Sequence, residues 1–241
     1  MAIDPTAKID CDELVIGEGA VIRAHAEIYG RRVIIGREAF IDEYAVIGGG
    51  SADVGEFTAG DFLHMGMFSQ VNTAQDVHIG DEVGIGIGTR IFTHGAYLSE
   101  YEGFPVSFAA VNIGSRVWLP NAIVLPGVTI GNDVVVAAGS TVGIDIPAGS
   151  LAGGSPAKVL RPDAYPKTPK DAQAILRRIC TEAGVGEANT ETVTVDQTVF
   201  DVAARKIIGP VTADTERLKN QMRRHGIRFR YGDSNGSYQP W

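Results

Sequence analysis

Cysteine is nearly absent from this chain of 241 residues: Cys11 and Cys180 are the only two, and no CxxC pair occurs. A disulfide framework is therefore excluded, and a reducing cytoplasm is the expected location. Long apolar runs are also absent, so no membrane-spanning helix is predicted. The first ten residues have neither a basic start nor an apolar stretch, and we expect no secretory signal.

Basic residues are too few to balance the acidic ones, and the deficit is confined to one part of the chain. The formal net charge is −8. Residues 1–161 contain 9 Lys and Arg against 19 Asp and Glu, whereas residues 162–241 contain 12 against 10. An acidic body argues against nucleic acid as a partner. The change of sign coincides with a segment rich in proline over residues 162–170, which is typical of a linker. We therefore predict two domains, residues 1–161 and residues 162–241.

Glycine, in contrast, is abundant at 30 residues. It often directly follows one of the aliphatic residues that recur at every sixth position. These aliphatic residues are Ile16, Ile22, Ile28, Ile35, Ile41, Ile47, Ile79, Ile85, Ile91, Ile113, Leu119, Val124, Ile130, Val136 and Val142. A period of six fits neither an α-helix nor a single amphipathic strand. It indicates short strands joined by tight turns, with three strands in a coil of about 18 residues and coils stacked about 4.8 Å apart. Roughly 14 hexapeptides predict between four and five coils.

Two stretches interrupt this period, Gly48–Asp61 and His94–Ala110. Loops of this length are uncommon in compact domains unless they have a function. The second stretch opens on a histidine, so we expect it to take part in function.

The part after the linker has a mixed pattern. We predict a helix over residues 170–183, strands over 192–197 and 199–208, a helix over 212–226 that ends at a glycine, and a final strand over 227–231. Arg217, Lys219, Arg223 and Arg224 make the second helix basic, which fits either a solvated face or the binding of a phosphate-bearing acceptor. Binding of acceptor, bracing of an oligomer and docking of a partner all remain open as roles for this domain.

Two sequence runs, IGSRVWLPNAIVLPGVTIGNDVVVAAGSTV and then IPAGSLAGGSPAKVLR, occur in this order. They resemble the C-terminal part of the hexapeptide-repeat acyltransferases, which include galactoside and maltose acetyltransferases and polysaccharide O-acetyltransferases. The resemblance covers roughly residues 14–161. It implies an all-β left-handed parallel β-helix, here followed by a small C-terminal α+β appendage. It further implies acetyl-CoA as the acyl donor, no metal, and a homotrimer with active sites between adjacent subunits.

Acyl transfer to a hydroxyl or amine needs a base that takes a proton near neutral pH, and imidazole meets this need. His94 opens the second long loop, as the family's catalytic histidine opens a long loop, and is our candidate general base. His64, close to the end of the first interruption, is the alternative. We expect His78 to point outward from a regular repeat, and His25 and His225 to be structural.

The donor site is predicted by carrying over matching positions. Lys158 and Arg161 match the basic pair that holds the phosphates of CoA, and cationic side chains suit this task. The positions matching the pantetheine groove are Trp118, Asn121, Ala138, Gly139 and Ser140. The chain departs from the family at Pro120, which stands where glycine is usual, and at Gly143–Pro147, which lacks a basic residue. Acetyl-CoA is the expected donor, and these departures leave a longer acyl-CoA or an acyl carrier protein open.

The acceptor is expected to be a sugar, a nucleotide sugar or another sugar-containing molecule. Gln70 and Asn72 resemble polar positions that bind sugar hydroxyls in the sugar acetyltransferases. Glu100 and Glu102 in the second loop would favour an aminosugar, although charge on a loop is more often solvent-facing.

Two other functions are compatible with such a prism. A non-catalytic trimer would serve as a scaffold or interaction module, but a scaffold has no need of a long loop that opens on histidine. A γ-carbonic-anhydrase-like metalloenzyme needs three convergent histidines, including a closely spaced pair. No two histidines here are nearer than 14 positions in sequence, which disfavours a metal site.

Overall fold

The computed structural model describes residues 1–48, 55–166 and 171–240. The chain divides into two compact units, residues 1–166 and residues 167–241, and each is described by itself. No helix within the described residues is long and apolar enough to cross a membrane.

The first unit consists of short strands. They are β1 (Ala2–Ile3), β2 (Lys8–Ile16), β3 (Val21–Ile22), β4 (Glu27–Ile35), β5 (Phe40–Ile41), β6 (Val46–Ile47), β7 (Glu56–Ala59), β8 (His64–Met65), β9 (Gln70–Val71), β10 (Val77–Ile79), β11 (Gly84–Ile85), β12 (Arg90–Ile91), β13 (His94–Gly95), β14 (Ser107–Phe108), β15 (Val111–Ile113), β16 (Trp118–Leu119), β17 (Ile123–Val124), β18 (Thr129–Ile130), β19 (Val135–Val136), β20 (Thr141–Val142), β21 (Leu151–Gly154) and β22 (Ala157–Arg161). A 3₁₀ turn lies at Glu100–Glu102.

The strands form a parallel β-helix with three faces. The first face is β1-β3-β5-β8-β11-β16-β19-β21, to which β22 adds antiparallel. The second face is formed by β6, β9, β12, β17 and β20, and the third by β7, β10, β15 and β18. Strands β2 and β4 are long enough to belong to both the second and the third face. Between them the strands complete about 7 turns.

The interior is filled by the aliphatic residues of the six-residue period. Every predicted inward position from Ile22 to Val142 is buried, and only Ile16 is partly exposed. Burial of one such side chain contributes about 1.5–3 kcal/mol, and in a solenoid the neighbouring turns provide that burial. The predicted repeat is therefore confirmed.

The predicted number of coils is too low, and one of the coils that the period missed lies at the first interruption. Strand β7 at Glu56–Ala59 lies inside the predicted interruption Gly48–Asp61 and pairs with β4 and β10. Its coil fills the interior with Ala59, Met65 and Val71, all buried. Alanine and methionine at two of these positions hid the period. The rest of that interruption, residues 49–54, lies outside the described residues.

In six successive coils the corner between the first and second faces is turned by one residue with left-handed backbone. These residues, with their φ angles, are His25 (59°), Tyr44 (59°), Phe68 (58°), Gly88 (69°), Asn121 (52°) and Gly139 (74°). We call this row the first corner. Bulky residues rarely adopt a positive φ, so the N-terminal half of the row maintains a costly conformation.

The second unit contains two helices and a six-stranded antiparallel sheet. Its elements are α1 (Ala172–Ala183), β23 (Glu187–Ala188), β24 (Thr192–Val195), β25 (Thr198–Asp201), β26 (Lys206–Pro210), α2 (Ala213–Arg224), β27 (Tyr231–Ser234) and β28 (Ser237–Pro240). Both predicted helices are confirmed. Asp171 caps α1, and Thr212 caps α2 with a capping box.

The predicted strands of this unit are partly wrong. The segment 199–208 forms two strands, because the chain turns between Asp201 and Lys206 and pairs with itself. The final strand is β28, and residues 227–230 before β27 are not a strand. Instead, Ile227 N–H donates to Met222 C=O (3.0 Å), so this segment terminates helix α2. Phe229, in the same segment, is buried.

Half of the predicted basic face of α2 is neutralised within the helix. Arg217 pairs with Asp214 at 2.8 Å, and Lys219 pairs with Glu216. The Lys219 ammonium also lies 4.9 Å from the ring centre of Tyr231. Arg223 and Arg224 remain exposed at the end of the helix.

Candidate active site

His94 lies where the chain leaves the β-helix at the end of the second face. We call the stretch His94–Ala110 the excursion. It begins and ends in a two-stranded antiparallel ribbon, in which His94 is opposite Phe108 and Gly95 is opposite Ser107. The imidazole stacks on the Phe108 ring, with 5.8 Å between ring centres. The excursion therefore begins and ends in an ordered pair that holds the histidine half-buried.

The hydrogen bond of His94 determines which of its nitrogens is free. Nδ1 lies 2.8 Å from Oδ1 of Asn72, a residue that is only 5% exposed. The same Oδ1 accepts the backbone N–H of Ala74 (3.2 Å) and the hydroxyl of Thr93 (2.7 Å). A backbone N–H can only donate, so this atom of Asn72 is the carbonyl oxygen.

It follows that Nδ1 of a neutral His94 carries the proton and donates a hydrogen bond to the carbonyl oxygen of Asn72. The Nε2 nitrogen then holds the lone pair, and no partner of Nε2 is found among the described residues. Such an imidazole is oriented to accept a proton at Nε2. We propose that Asn72 positions His94, because its buried carbonyl oxygen accepts hydrogen bonds from three donors, and its role as an acceptor contact stays a prediction.

The excursion beyond His94 presents large side chains to solvent. Tyr97 and Tyr101 are fully exposed, and Leu98 and Phe104 are largely exposed. Glu100 and Glu102 lie in the 3₁₀ turn at its tip and are exposed as well. Loops carry such surfaces where they contact a ligand or another chain.

A cleft of about 350 Å³ lies at the first corner, at the opposite edge of the second face from His94. Its lining residues are Gly88, Arg90, Asn121, Ala122, Ile123, Gly139 and Ser140. The structure therefore brings together three of the five predicted groove positions, Asn121, Gly139 and Ser140. Ala138 is exposed beside Gly139, whereas Trp118 lies on the first face, where its ring covers Gly84, and does not line the cleft.

The polar side chains of the groove mainly hold the turns together. Ser140 is 1% exposed; its hydroxyl donates to Ala137 C=O (2.6 Å) and accepts Gly154 N–H (3.1 Å). Its side chain thus joins the last turns to β21, and its role as a small residue that lets the pantetheine arm approach the backbone stays a prediction. Asn121 Nδ2 donates to Ile87 C=O (3.0 Å).

Lys158 and Arg161 lie on β22 and are exposed. Lys158 is the register partner of Gly153 on β21. The next residue, Gly154, donates its N–H to Ser140, which lines the cleft, so Lys158 lies near the wall of the cleft. No ion pair of either side chain is found in the part of the chain that the structure describes.

The other titratable candidates lie away from the excursion. His64 is on the first face beside Phe40, His78 bonds Thr58 Oγ1 (2.8 Å) on the third face, and His225 bonds Glu182 (2.7 Å) in the second unit. Burial raises the pKa of the thiols of Cys11 and Cys180. No group of three His, Cys, Asp or Glu side chains within residues 1–48, 55–166 and 171–240 could hold a metal ion.

The family model described as "Bacterial transferase hexapeptide (six repeats)" matches residues 110–143, which lie within the β-helix. The chain is similar in sequence to the hexapeptide-repeat transferases over these residues. Its fold is that of the left-handed β-helix class, and it is similar to AntD, an N-acyltransferase from Bacillus cereus crystallised with dTDP and coenzyme A. The TM-score is 0.54 at 19% identity, covering 72% of this chain and 93% of that one.

Two curated proteins are similar to this chain in sequence. "Putative acetyltransferase SAR2635" of Staphylococcus aureus (strain MRSA252) is 52% identical over 61 residues, 25% of this chain and 30% of the relative. "Putative lipopolysaccharide biosynthesis O-acetyl transferase WbbJ" of Escherichia coli (strain K12) is 36% identical over 107 residues, 42% of this chain and 55% of the relative. The chain thus spans about a third to a half of the length of these relatives.

Sequence reasoning missed two contributors to this region, Thr93 as the partner of Asn72 and Phe108 as the stacking partner of His94. The first had a signal, since position 93 lies about one coil after position 72. The second had none, because the residue that returns opposite His94 depends on the path of the excursion.

Proposed function

We propose that the protein is an acetyltransferase that moves the acetyl group of acetyl-CoA to a hydroxyl or amino group of a sugar or sugar-containing acceptor. The observation that carries this proposal is the bond from His94 Nδ1 to the buried Asn72 carbonyl, which leaves Nε2 free as a base. Both relatives are named as acetyltransferases, which supports the reaction class. The second is named as a lipopolysaccharide biosynthesis protein, which supports the acceptor class.

In this mechanism Nε2 of His94 accepts the proton of the acceptor as its oxygen or nitrogen attacks the thioester carbonyl carbon. Collapse of the tetrahedral intermediate breaks the C–S bond. The imidazolium then returns the proton to the departing sulfur, so that the products are the acetylated acceptor and free CoA. Asn72 stabilises the imidazolium through its carbonyl oxygen, and Phe108 restricts rotation of the ring.

The cleft at the first corner is the proposed path of the pantetheine arm, along the backbone of Asn121, Ala138, Gly139 and Ser140. The left-handed Gly139 has no atom within 4 Å of its missing side chain, so this corner is open to a ligand. Lys158 and Arg161 are the proposed phosphate contacts. Trp118 would reach the donor only from the first face.

We further propose a homotrimer, as the family resemblance implies. The position of these features on one chain supports a site shared between copies, because the second face separates His94 from the cleft and a second copy would bring a histidine to the donor. Closed cyclic symmetry supplies this copy for every site. The unpaired cysteines are in keeping with a cytoplasmic location.

Release of CoA tests the proposed reaction. Purified protein with acetyl-CoA is assayed against a panel of sugars and nucleotide sugars, and its mass in solution is measured in parallel. We expect CoA release with at least one sugar and a trimeric mass. Failure of CoA to bind at millimolar concentration contradicts a CoA-dependent enzyme, and a fully active monomer contradicts the shared site.

The basic pair provides a second test. Phosphate contacts lie far from the thioester and are nearly equal in the ground and transition states, so their loss raises KM and spares kcat. We expect the double variant Lys158→Ala/Arg161→Ala to raise the KM for acetyl-CoA by about tenfold, since hydrogen bonds to charged groups are the stronger kind. Arg177→Ala, an exposed cation of the second unit, is the matched control. An unchanged donor KM in the double variant removes both residues from the donor site.

A further inference from the structure

Three aromatic rings form a stacked row on the first corner. His25 and Tyr44 stack with 5.0 Å between ring centres, and Tyr44 and Phe68 with 5.3 Å. The planes of Tyr44 and Phe68 differ by only 13°. All three residues have a positive φ, as residues at other turns of the β-helix also do, so the feature that distinguishes this row is the stacking of its rings.

The row ends at Phe68, because the next residue of the first corner is Gly88. Tyr44 has a ring on either side, whereas among the described residues Phe68 stacks on Tyr44 alone. A side chain built on Gly88 would find only Nδ2 of Asn121, at 3.0 Å, and no atom of Phe68 within 4 Å. Beyond Phe68, which is 57% exposed, there is therefore an open notch with Gly88 as its floor.

The notch continues into the proposed donor cleft. Gly88 and Arg90 line that cleft, and Gln70 is the register partner of Arg90 on the second face. Gln70 follows Phe68 by two residues, at the start of β9. Gln70 and Arg90 therefore lie on the second face, next to the corner that carries Phe68. An amide and a guanidinium are both able to bind hydroxyl groups.

We propose that the exposed face of Phe68 is the platform on which the pyranose ring of the acceptor stacks, with Gln70 and Arg90 binding its hydroxyls. A pyranose presents C–H bonds on one face and hydroxyls at its edge, which matches an aromatic face with a polar border. This inference rests on the proposed function, in which the thioester of acetyl-CoA lies in the adjoining cleft. It assigns Gln70 a place beside Phe68 and adds Phe68 and Arg90 to the acceptor site.

The test uses the full chain and two probes, methyl β-D-glucopyranoside and methyl β-D-galactopyranoside. Binding of each probe is measured by saturation-transfer NMR and titration, without turnover, and binding of CoA by calorimetry. Phe68→Asn removes the ring but keeps a residue that tolerates left-handed backbone. Phe68→Tyr keeps the ring, and the melting temperature of each variant checks its folding.

We expect Phe68→Asn to weaken binding of at least one glycoside tenfold or more, and Phe68→Tyr to stay within threefold of the unchanged protein. The matched control is Tyr44→Ala, which removes a ring of the same row whose faces are covered by its neighbours. It is expected to stay within threefold as well. Affinity for CoA is expected to be the same in all four proteins.

The proposal is overturned if Phe68→Asn binds the glycosides as well as the unchanged protein does. It is equally overturned if the loss falls on CoA, or if the unchanged protein binds neither glycoside. Failure of the proposed function has a different signature. In that case Phe68-dependent glycoside binding persists while no sugar elicits CoA release.

Discussion

His94→Ala is expected to lower kcat by about 10²–10⁴-fold, the contribution of a positioned general base. In the proposed mechanism Nε2 accepts the acceptor's proton, because Nδ1 of His94 donates a hydrogen bond to the carbonyl of Asn72. The proposed shared site also holds both substrates together, and this proximity effect survives the substitution. The variant should therefore form the same oligomer, bind CoA with unchanged affinity and turn over slowly.

The pH dependence provides an independent readout of the same residue. Protonation of Nε2 removes the base, so kcat of the unchanged enzyme falls on the acidic side. This acidic limb should disappear in His94→Ala. His64→Ala, on the first face, is the control and the alternative base. A His94→Ala enzyme within threefold of the unchanged activity transfers the role of base to His64 or another residue.

Asn72→Ala is expected to lower kcat by about 10–100-fold with little change in the KM for acetyl-CoA, because misorientation of a catalytic group is costly. The substitution removes the acceptor of Nδ1–H and leaves the Thr93 hydroxyl and the Ala74 N–H without Oδ1. The ring then loses both its orientation and its preferred tautomer. The effect is on the base, since the carbonyl oxygen of Asn72 accepts the hydrogen bond of Nδ1.

Asn72→Asp distinguishes positioning from a purely structural role. A carboxylate keeps an oxygen opposite Nδ1 and stabilises the imidazolium, so the acidic limb of the rate profile should move to higher pH while most activity returns. Asn112→Ala, at an exposed position on the third face, is the matched control and should leave kcat unchanged. Identical pH profiles for Asn72→Asp and the unchanged enzyme would show that Asn72 does not act through His94.

Predictability differed between the two interruptions of the period. His94–Ala110 was identified correctly because regular aliphatic repeats flank it on both sides. Gly48–Asp61 was drawn too long, since Ala59 and Met65 occupy inward positions without the branched aliphatic side chains that mark the others. A period detected by residue type fails where a smaller or unbranched side chain fills the same space.

The donor positions show where carrying over a motif reaches its limit. Asn121, Gly139 and Ser140 do lie together, because residues at matching positions of successive coils stack on one corner. The motif does not contain the direction of each side chain. Ser140 points inward, where its hydroxyl forms hydrogen bonds with Ala137 C=O and Gly154 N–H. Trp118 lies on the first face, where the missing side chain of Gly84 leaves room for its ring.

The sequence by itself determined the parallel β-helix, its interior and the place where the chain leaves it, because a six-residue period states which side chains must avoid water. It also indicated the two helices of the second unit, the second of them with a glycine at its end. Only the tertiary structure decided the pairing of His94 with Asn72 and the end of the aromatic row at Gly88. Both relations join residues of different coils. Their register depends on the number of residues in each corner and in the excursion, and the pattern of buried side chains does not determine that number.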